Sequence, residues 1–358
     1  MLAQLINFIT IFSETYLKSF VILLPLYTTS KILSTYTLHK DFKPKDISKV
    51  SIPLELKKKY TNIEINQISS EKVKKTVFEF ADILEKEFPQ DALINFYNNI
   101  NEVRIRRNNL LFMIGADGVY FFKSNKINYG SLYSIYHELF HVASSSFNSE
   151  SNIGYTGFNQ SHLNLDSKFN IGKGINEGYT QLLTLRYFGK KHKITPAYEF
   201  EVAVVEKLEK IVGQEEMKRL YLNANLLGLI EKLKQYASEE DIVNFITGID
   251  LIINHEDNSF LLGNNKIKTS LTNIYNFLLK AYITKLKQQV EIGIITINEF
   301  LEQSNKYIKS LGTSVKIGNH NYEYLTIDSL LDNIEKISNI PQIYPINEGI
   351  SGSYKNNL

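Results

Sequence analysis

The chain has 358 residues, 40 of them Lys or Arg against 38 Asp or Glu, for a formal net charge of +2. Such a length buries a sizeable core in one large domain or two modest ones, and the near balance of charge argues against a dedicated nucleic-acid surface. Cysteine is absent, which excludes disulfides and any thiolate metal site.

Residues 1–36 form an apolar segment in which Glu14 and Lys18 are the only charges before Lys31. The uncharged stretch from Lys18 to Lys31 is shorter than the roughly 20 residues a membrane-spanning helix needs, and Pro25 kinks any helix there. Neither the basic start nor the small-residue cleavage site of a signal peptide stands out. Three readings stay open: an anchor or uncleaved signal, an interfacial helix, or a helix docked on the body. The first 36 residues are therefore the candidate for membrane contact, and the location stays open between membrane-associated and cytoplasmic. Residues 37–60, rich in Lys and holding Pro44 and Pro53, read as a basic linker that could also touch anionic lipid.

From residue 61 to 190 the pattern is mixed. Apolar spacing predicts helices over 71–87 and 91–98. Strands are expected over 102–107, 110–114 and 119–122, the last two joined as a hairpin through Ala116-Asp117-Gly118. The Arg104-Ile105-Arg106-Arg107 cluster reads as the polar face of a strand. A helix is expected over 132–146. The polar stretch 149–171 reads as a long loop rimming a cleft, and a second helix is expected over 175–188. Residues 191–340 are predicted as a helical half, with helices over 197–212, 215–226, 227–236, 239–254, 271–289 and 298–311, and residues 341–358 as a tail. The fold class expected is α+β, predominantly helical.

The chemistry is concentrated in His137-Glu138-Leu139-Phe140-His141, an HExxH pattern. Residues four apart share a helix face, so both imidazoles can bind one metal ion while Glu138 reaches a water beside it. Apart from Glu138 no charge interrupts the apolar flanks. A catalytic zinc takes three protein ligands and keeps one open position. The metzincin continuation fails, because Ser144 and Phe147 stand where Gly and His are required. What does follow is Asn176-Glu177-Gly178-Tyr179-Thr180, opening an apolar helical run 36 residues past His141. Glu177 on that helix completes a His₂Glu set, with Zn²⁺ the expected ion. The same INEG letters recur at Ile346–Gly349 without helical period behind them, so Glu177 is preferred to Glu348.

Three stretches carry a resemblance: residues 135–145 (IYHELFHVASS), 154–158 (GYTGF) and 172–188 (GKGINEGYTQLLTLRYF). Together they resemble a group of bacterial gluzincin-type proteins, over about residues 100–235. The resemblance implies a zincin-like core, zinc on His137, His141 and Glu177, and Glu138 as general base. It implies nothing firm about substrate.

Weaker signals remain. Gly172-x-Gly174-x-x-x-Gly178 misses the dinucleotide spacing by one residue, so a tight turn is the better reading. His162, Tyr155 and Tyr179 are candidates to donate to a developing oxyanion. His39, His192, His255 and His320 are given no role. The expected function is zinc-dependent hydrolysis of a peptide or protein substrate, with strand 119–122 either the edge that pairs with it or a plain strand of the sheet. Two alternatives stand beside it: a non-catalytic zinc-stapled binding or structural protein, and a zinc hydrolase of a non-peptide amide or ester. The oligomeric state is not legible.

Overall fold

The computed structural model describes residues 70–100, 102–109, 111, 116–148, 153–162, 170–257, 264–317 and 320–323. The expectations for the apolar segment and linker, for most of the 110–114 strand, and for the tail with Glu348 fall outside these residues. Among the described residues the fold is α+β and predominantly helical, with three small sheets, and no helix is long and apolar enough to cross a membrane.

Helix α1 (Glu71–Glu87) buries Val73, Thr76, Val77, Phe80, Ala81 and Leu84 on one face, the spacing its sequence dictates. It ends at Phe88, whose backbone is extended, because Pro89 disfavours helical backbone in the residue before it. The helix expected over 91–98 is a 3-10 turn (Gln90–Ala92) followed by α2 (Ile94–Ile100). Strands β1 (Arg104–Arg107), β2 (Gly118–Phe121) and β3 (Lys126–Tyr129) form a sheet in the order β1-β3-β2, with β1 parallel and β2 antiparallel to β3. Ile105 and Ile127 are buried while Arg104 and Arg106 alternate outward. The described partner of β2 is β3. The turn between them closes on Asn125 in the left-handed region, φ 45°, which Asn tolerates better than most residues.

Helix α3 (Ser134–Ala143) carries the HExxH pattern, and every residue from Ile135 to Ala143 is buried. It is shorter than expected because the chain turns at Ser144 into strand β4 (Ser145–Asn148). The Asn99 side chain fixes this end by donating to the carbonyls of Val142 (2.9 Å) and Ser145 (2.8 Å). Strands β5 (Ile153–Thr156), β6 (Asn159–His162) and β7 (Asn170–Ile171) continue from β4 as an antiparallel meander. The stretch expected as a loop therefore holds three strands, turned between β5 and β6 at Gly157, φ 56°. Their Asn, Ser and Gly content hides them from a hydrophobic-alternation reading.

Helix α4 (Lys173–Thr184) carries Glu177 and passes through a π-type turn (Leu185–Gly189) into a last helical turn (Lys190–His192). The helices that follow are α5 (Glu199–Val212), α6 (Gln214–Leu222), α7 (Leu226–Leu233), α8 (Glu239–Asp257), α9 (Asn264–Glu291) and α10 (Ile297–Leu311). A hairpin of β8 (Ser314–Ile317) and β9 (His320–Glu323), not expected from the sequence, closes the described chain. One contiguous apolar core runs from Val73 on α1 to Tyr322 on β9. Within it α3 packs on α1, α2, α4 and the β2–β3 hairpin, and α4 packs between α5 and α8. That arrangement positions the two motif helices face to face.

Candidate metal centre

The helical period stacks His137 and His141 on one face of α3, and α4 presents Glu177 to the same point. The three candidate donor atoms form a triangle. His137 Nε2 lies 3.1 Å from His141 Nε2 and 3.2 Å from Glu177 Oε2, and His141 Nε2 lies 3.4 Å from Glu177 Oε2. A tetrahedral ion with bonds of about 2.0–2.1 Å has donors spaced about 3.3–3.4 Å apart, so these residues fit such an ion with little movement. Among the described residues this is the group able to hold a metal.

The imidazole chemistry agrees for His137. Its Nδ1–H donates to Gln181 Oε1 at 2.9 Å, which leaves the Nε2 lone pair facing the triangle. Gln181 is buried, four residues beyond Glu177 and therefore on the same face of α4. The His141 Nδ1 contact with the Asn176 amide is 3.5 Å, too long to fix a tautomer. Burial by itself would depress His137 and raise Glu177. For His137 the Glu177 hydrogen bond and the Glu138 and Glu177 charges outweigh it and leave it raised; for Glu177 the His141 charge and the hydrogen bonds of both histidines leave its carboxyl well below the usual carboxylate range.

Glu138 sits one position round α3, 6 % exposed, with its carboxyl pushed up chiefly by burial and also by the Glu177 charge, against the pull of the two histidines and the Tyr120 N–H. Strand β2 makes room for it. A Cβ on Gly118 would lie 2.7 Å from Glu138 Oε1 and 2.9 Å from Ser134 Cβ, so the strand passes directly over the helix only because residue 118 has no side chain. The junction is tied by Ser134 Oγ donating to the Asp117 carbonyl (2.8 Å) and by Ser131 N–H donating to the Asp117 carboxylate (3.0 Å).

The second motif gains a physical reading. Asn176 Oδ1 accepts the Phe158 N–H at 3.2 Å, and Gly157 lets that turn approach, since a Cβ there would come 2.3 Å from Asn176 Oδ1 and from the Tyr221 ring. Thr180 donates back to the Asn176 carbonyl (2.7 Å), so its oxygen accepts from the Tyr221 hydroxyl (2.7 Å) and ties α4 to α6. The Thr of the NExxT element is thus a brace and not a ligand. Tyr179 is also structural: it is fully buried and donates to Glu209 at 3.1 Å, which removes it as an oxyanion donor. Tyr155 lies on β5 opposite Ser146 and Gln160, and His162 ends β6 opposite Ile153. His192 packs on Tyr136 and pairs with Glu79 (2.9 Å), and His320 is exposed on β9.

Sequence reasoning missed Gln181, whose signal was its four-residue spacing from Glu177. It also missed Tyr198. That ring stacks on His137, centroids 5.9 Å apart and planes 27° apart, from a left-handed backbone, φ 55°. A strained aromatic beside His137 had no sequence signal. Scans against protein-family models, curated proteins and solved structures returned no match to this chain.

Proposed function

We propose that the chain is a zinc-dependent metallopeptidase of the gluzincin kind, with a zincin-like core made of α3, α4 and the β1–β3 sheet. The observation that carries this reading is the triangle of His137, His141 and Glu177 donors at 3.1–3.4 Å. Two nitrogens and a carboxylate oxygen are a donor set suited to zinc. When bound there, zinc lowers the pKa of water toward neutrality and polarises a carbonyl.

This chain's own residues supply the rest. Glu138, buried beside the triangle and raised in pKa, takes a proton as a water oxygen bonds to the carbonyl carbon. It returns that proton to the amine as the C–N bond breaks. Gln181 holds His137 in the tautomer that offers Nε2. Peptide is favoured over other amides by β2. Asp117 accepts the Gly130 N–H (2.7 Å) and so faces β3, whereas the Tyr120 N–H turns to Glu138. Strand alternation puts the main-chain groups of Gly118 and the Tyr120 carbonyl on the outer side, where an extended peptide adds as a further strand.

The test is metal analysis coupled to a peptide-library digest of wild type and Glu138→Gln. The variant retains zinc and loses turnover by about 10²–10⁴-fold. Equal digestion by both proteins rejects the peptidase reading.

A further inference from the structure

The glycine loop ahead of α4 resembles a phosphate cradle, yet its amides already hold an anion. Gly172 N–H donates to Asp250 Oδ2 at 2.7 Å and Gly174 N–H to Asp250 Oδ1 at 2.8 Å. Asp250 belongs to α8, 78 and 76 residues away from these glycines, and is 9 % exposed. Gly174 makes room for α8, and Gly172 makes room for the Phe158 carbonyl on the other side. Gly172 has φ 84°, and a Cβ there would strike the Phe158 carbonyl at 2.1 Å. A Cβ on Gly174 would meet Ile249 Cγ2 at 2.3 Å and the Ile249 main chain at 3.1 Å. The first turn of α4 therefore lies directly on α8, and its orphan N–H groups are satisfied by a carboxylate from that helix.

Glu177 stands three residues beyond Gly174, within reach of any movement of that turn. The later part of α4 is held independently, by the close approach of Gly178 to the Glu201 backbone on α5 and by the Thr180–Tyr221 tie. The first turn is held by Asp250 and by the Asn176 bond to the Phe158 N–H, and it loosens if its own N–H groups lose their partner. We infer that Asp250 is a positioning residue of the metal centre, an internal anion on the helical half that pins the first turn of α4 and so sets Glu177 at ligating distance. This rests on the metal-centre reading above.

The test is zinc affinity by chelator competition on the full chain, with Asp250→Asn made in wild type and in Glu177→Ala. Far-ultraviolet circular dichroism checks the fold of each metal-free protein. The near-isosteric amide keeps one acceptor and turns a donor on the other N–H. Zinc affinity falls by about 10- to 100-fold in the wild-type background. In the Glu177→Ala background it changes by no more than about twofold, because the pathway through the carboxylate is already gone. Equal losses in both backgrounds make Asp250 a general structural residue and overturn the inference, as does unchanged affinity in the wild-type background. If Asp250→Asn does not fold, Asp250→Glu takes its place. Its anion is displaced by one methylene, so affinity falls in a Glu177-dependent way, and full retention refutes the role. A wild type that binds no zinc removes the metal centre itself, an outcome distinct from wild-type binding that ignores Asp250.

Discussion

Gln181→Met isolates the hydrogen bond that orients His137. Methionine is close in size to glutamine and a comparable helix former, so the packing of α4 is conserved while the acceptor for His137 Nδ1–H is lost. Gln181 is 3 % exposed, and water does not readily replace it. A buried donor left without a partner costs about 1–3 kcal/mol, which corresponds to roughly 5- to 150-fold in an equilibrium constant and agrees with the tenfold to hundredfold range for outer-shell partners of metal ligands. The 2.9 Å distance places this bond in the normal range, so the middle of that interval is expected. Zinc affinity measured against a chelator at fixed pH reads the effect, and thermal unfolding of the metal-free protein separates it from lost stability. Gln181→Glu should move the other way, since an ionised acceptor strengthens the bond and the basicity of the imidazole. A Gln181→Met protein whose zinc affinity stays within twofold of wild type refutes the reasoning.

Two further perturbations address the neighbouring strand and the ion cluster around Glu79 on α1. Gly118→Val drives a side chain into the space of Glu138 and Ser134; zinc binding is retained while turnover drops by about 10²-fold or more, as for a catalytic group displaced by an ångström, and normal kinetics would show that β2 does not gauge Glu138. Glu79 is pulled down from 4.5 to about 2: burial raises it, but hydrogen bonds from Lys191, His192 and Tyr136 prevail. A depressed carboxyl contributes stability that is present above its unfolded pKa and disappears as pH falls through the folded value. Denaturant unfolding of wild type should therefore weaken between pH 4.5 and about 2, by at most on the order of 3 kcal/mol from this group, and Glu79→Gln should flatten that dependence. Parallel pH profiles for the two proteins would contradict the ion cluster's role.

The two helices that carry the candidate site were readable because their information is local. Four-residue spacing in HExxH and an apolar run behind Glu177 declare a helix face without reference to anything distant. The same holds for α1, whose apolar period and following proline mark both its face and its end. Strand β3 was not readable: four residues, Lys-Ile-Asn-Tyr, have too little alternation to stand out, and their strand state comes from pairing with β1 and β2 on either side. Strands β5 to β7 went unseen for a related reason, since Asn, Ser and Gly are poor strand formers and only the meander's pairing makes them strands. Gln181 could have been found from its register with Glu177. Asp250 could not, because nothing in its own neighbourhood, Gly248-Ile249-Asp250-Leu251, distinguishes it from an ordinary helix carboxylate until α8 is laid on α4. The glycine loop is the tight, closely packed turn its sequence suggested; that its N–H groups hold a side chain of the same molecule was not legible.

X-ray absorption at the zinc edge, on protein loaded with one equivalent and freed of excess ion, reads the ligand set directly. The account predicts a four-coordinate sphere of nitrogen and oxygen at about 2.0–2.1 Å with the outer-shell scattering of two imidazoles, and Glu177→Ala should change that sphere without removing the imidazole signal. Zinc lost on dialysis, or a sphere of oxygen atoms without imidazole scattering, would contradict it.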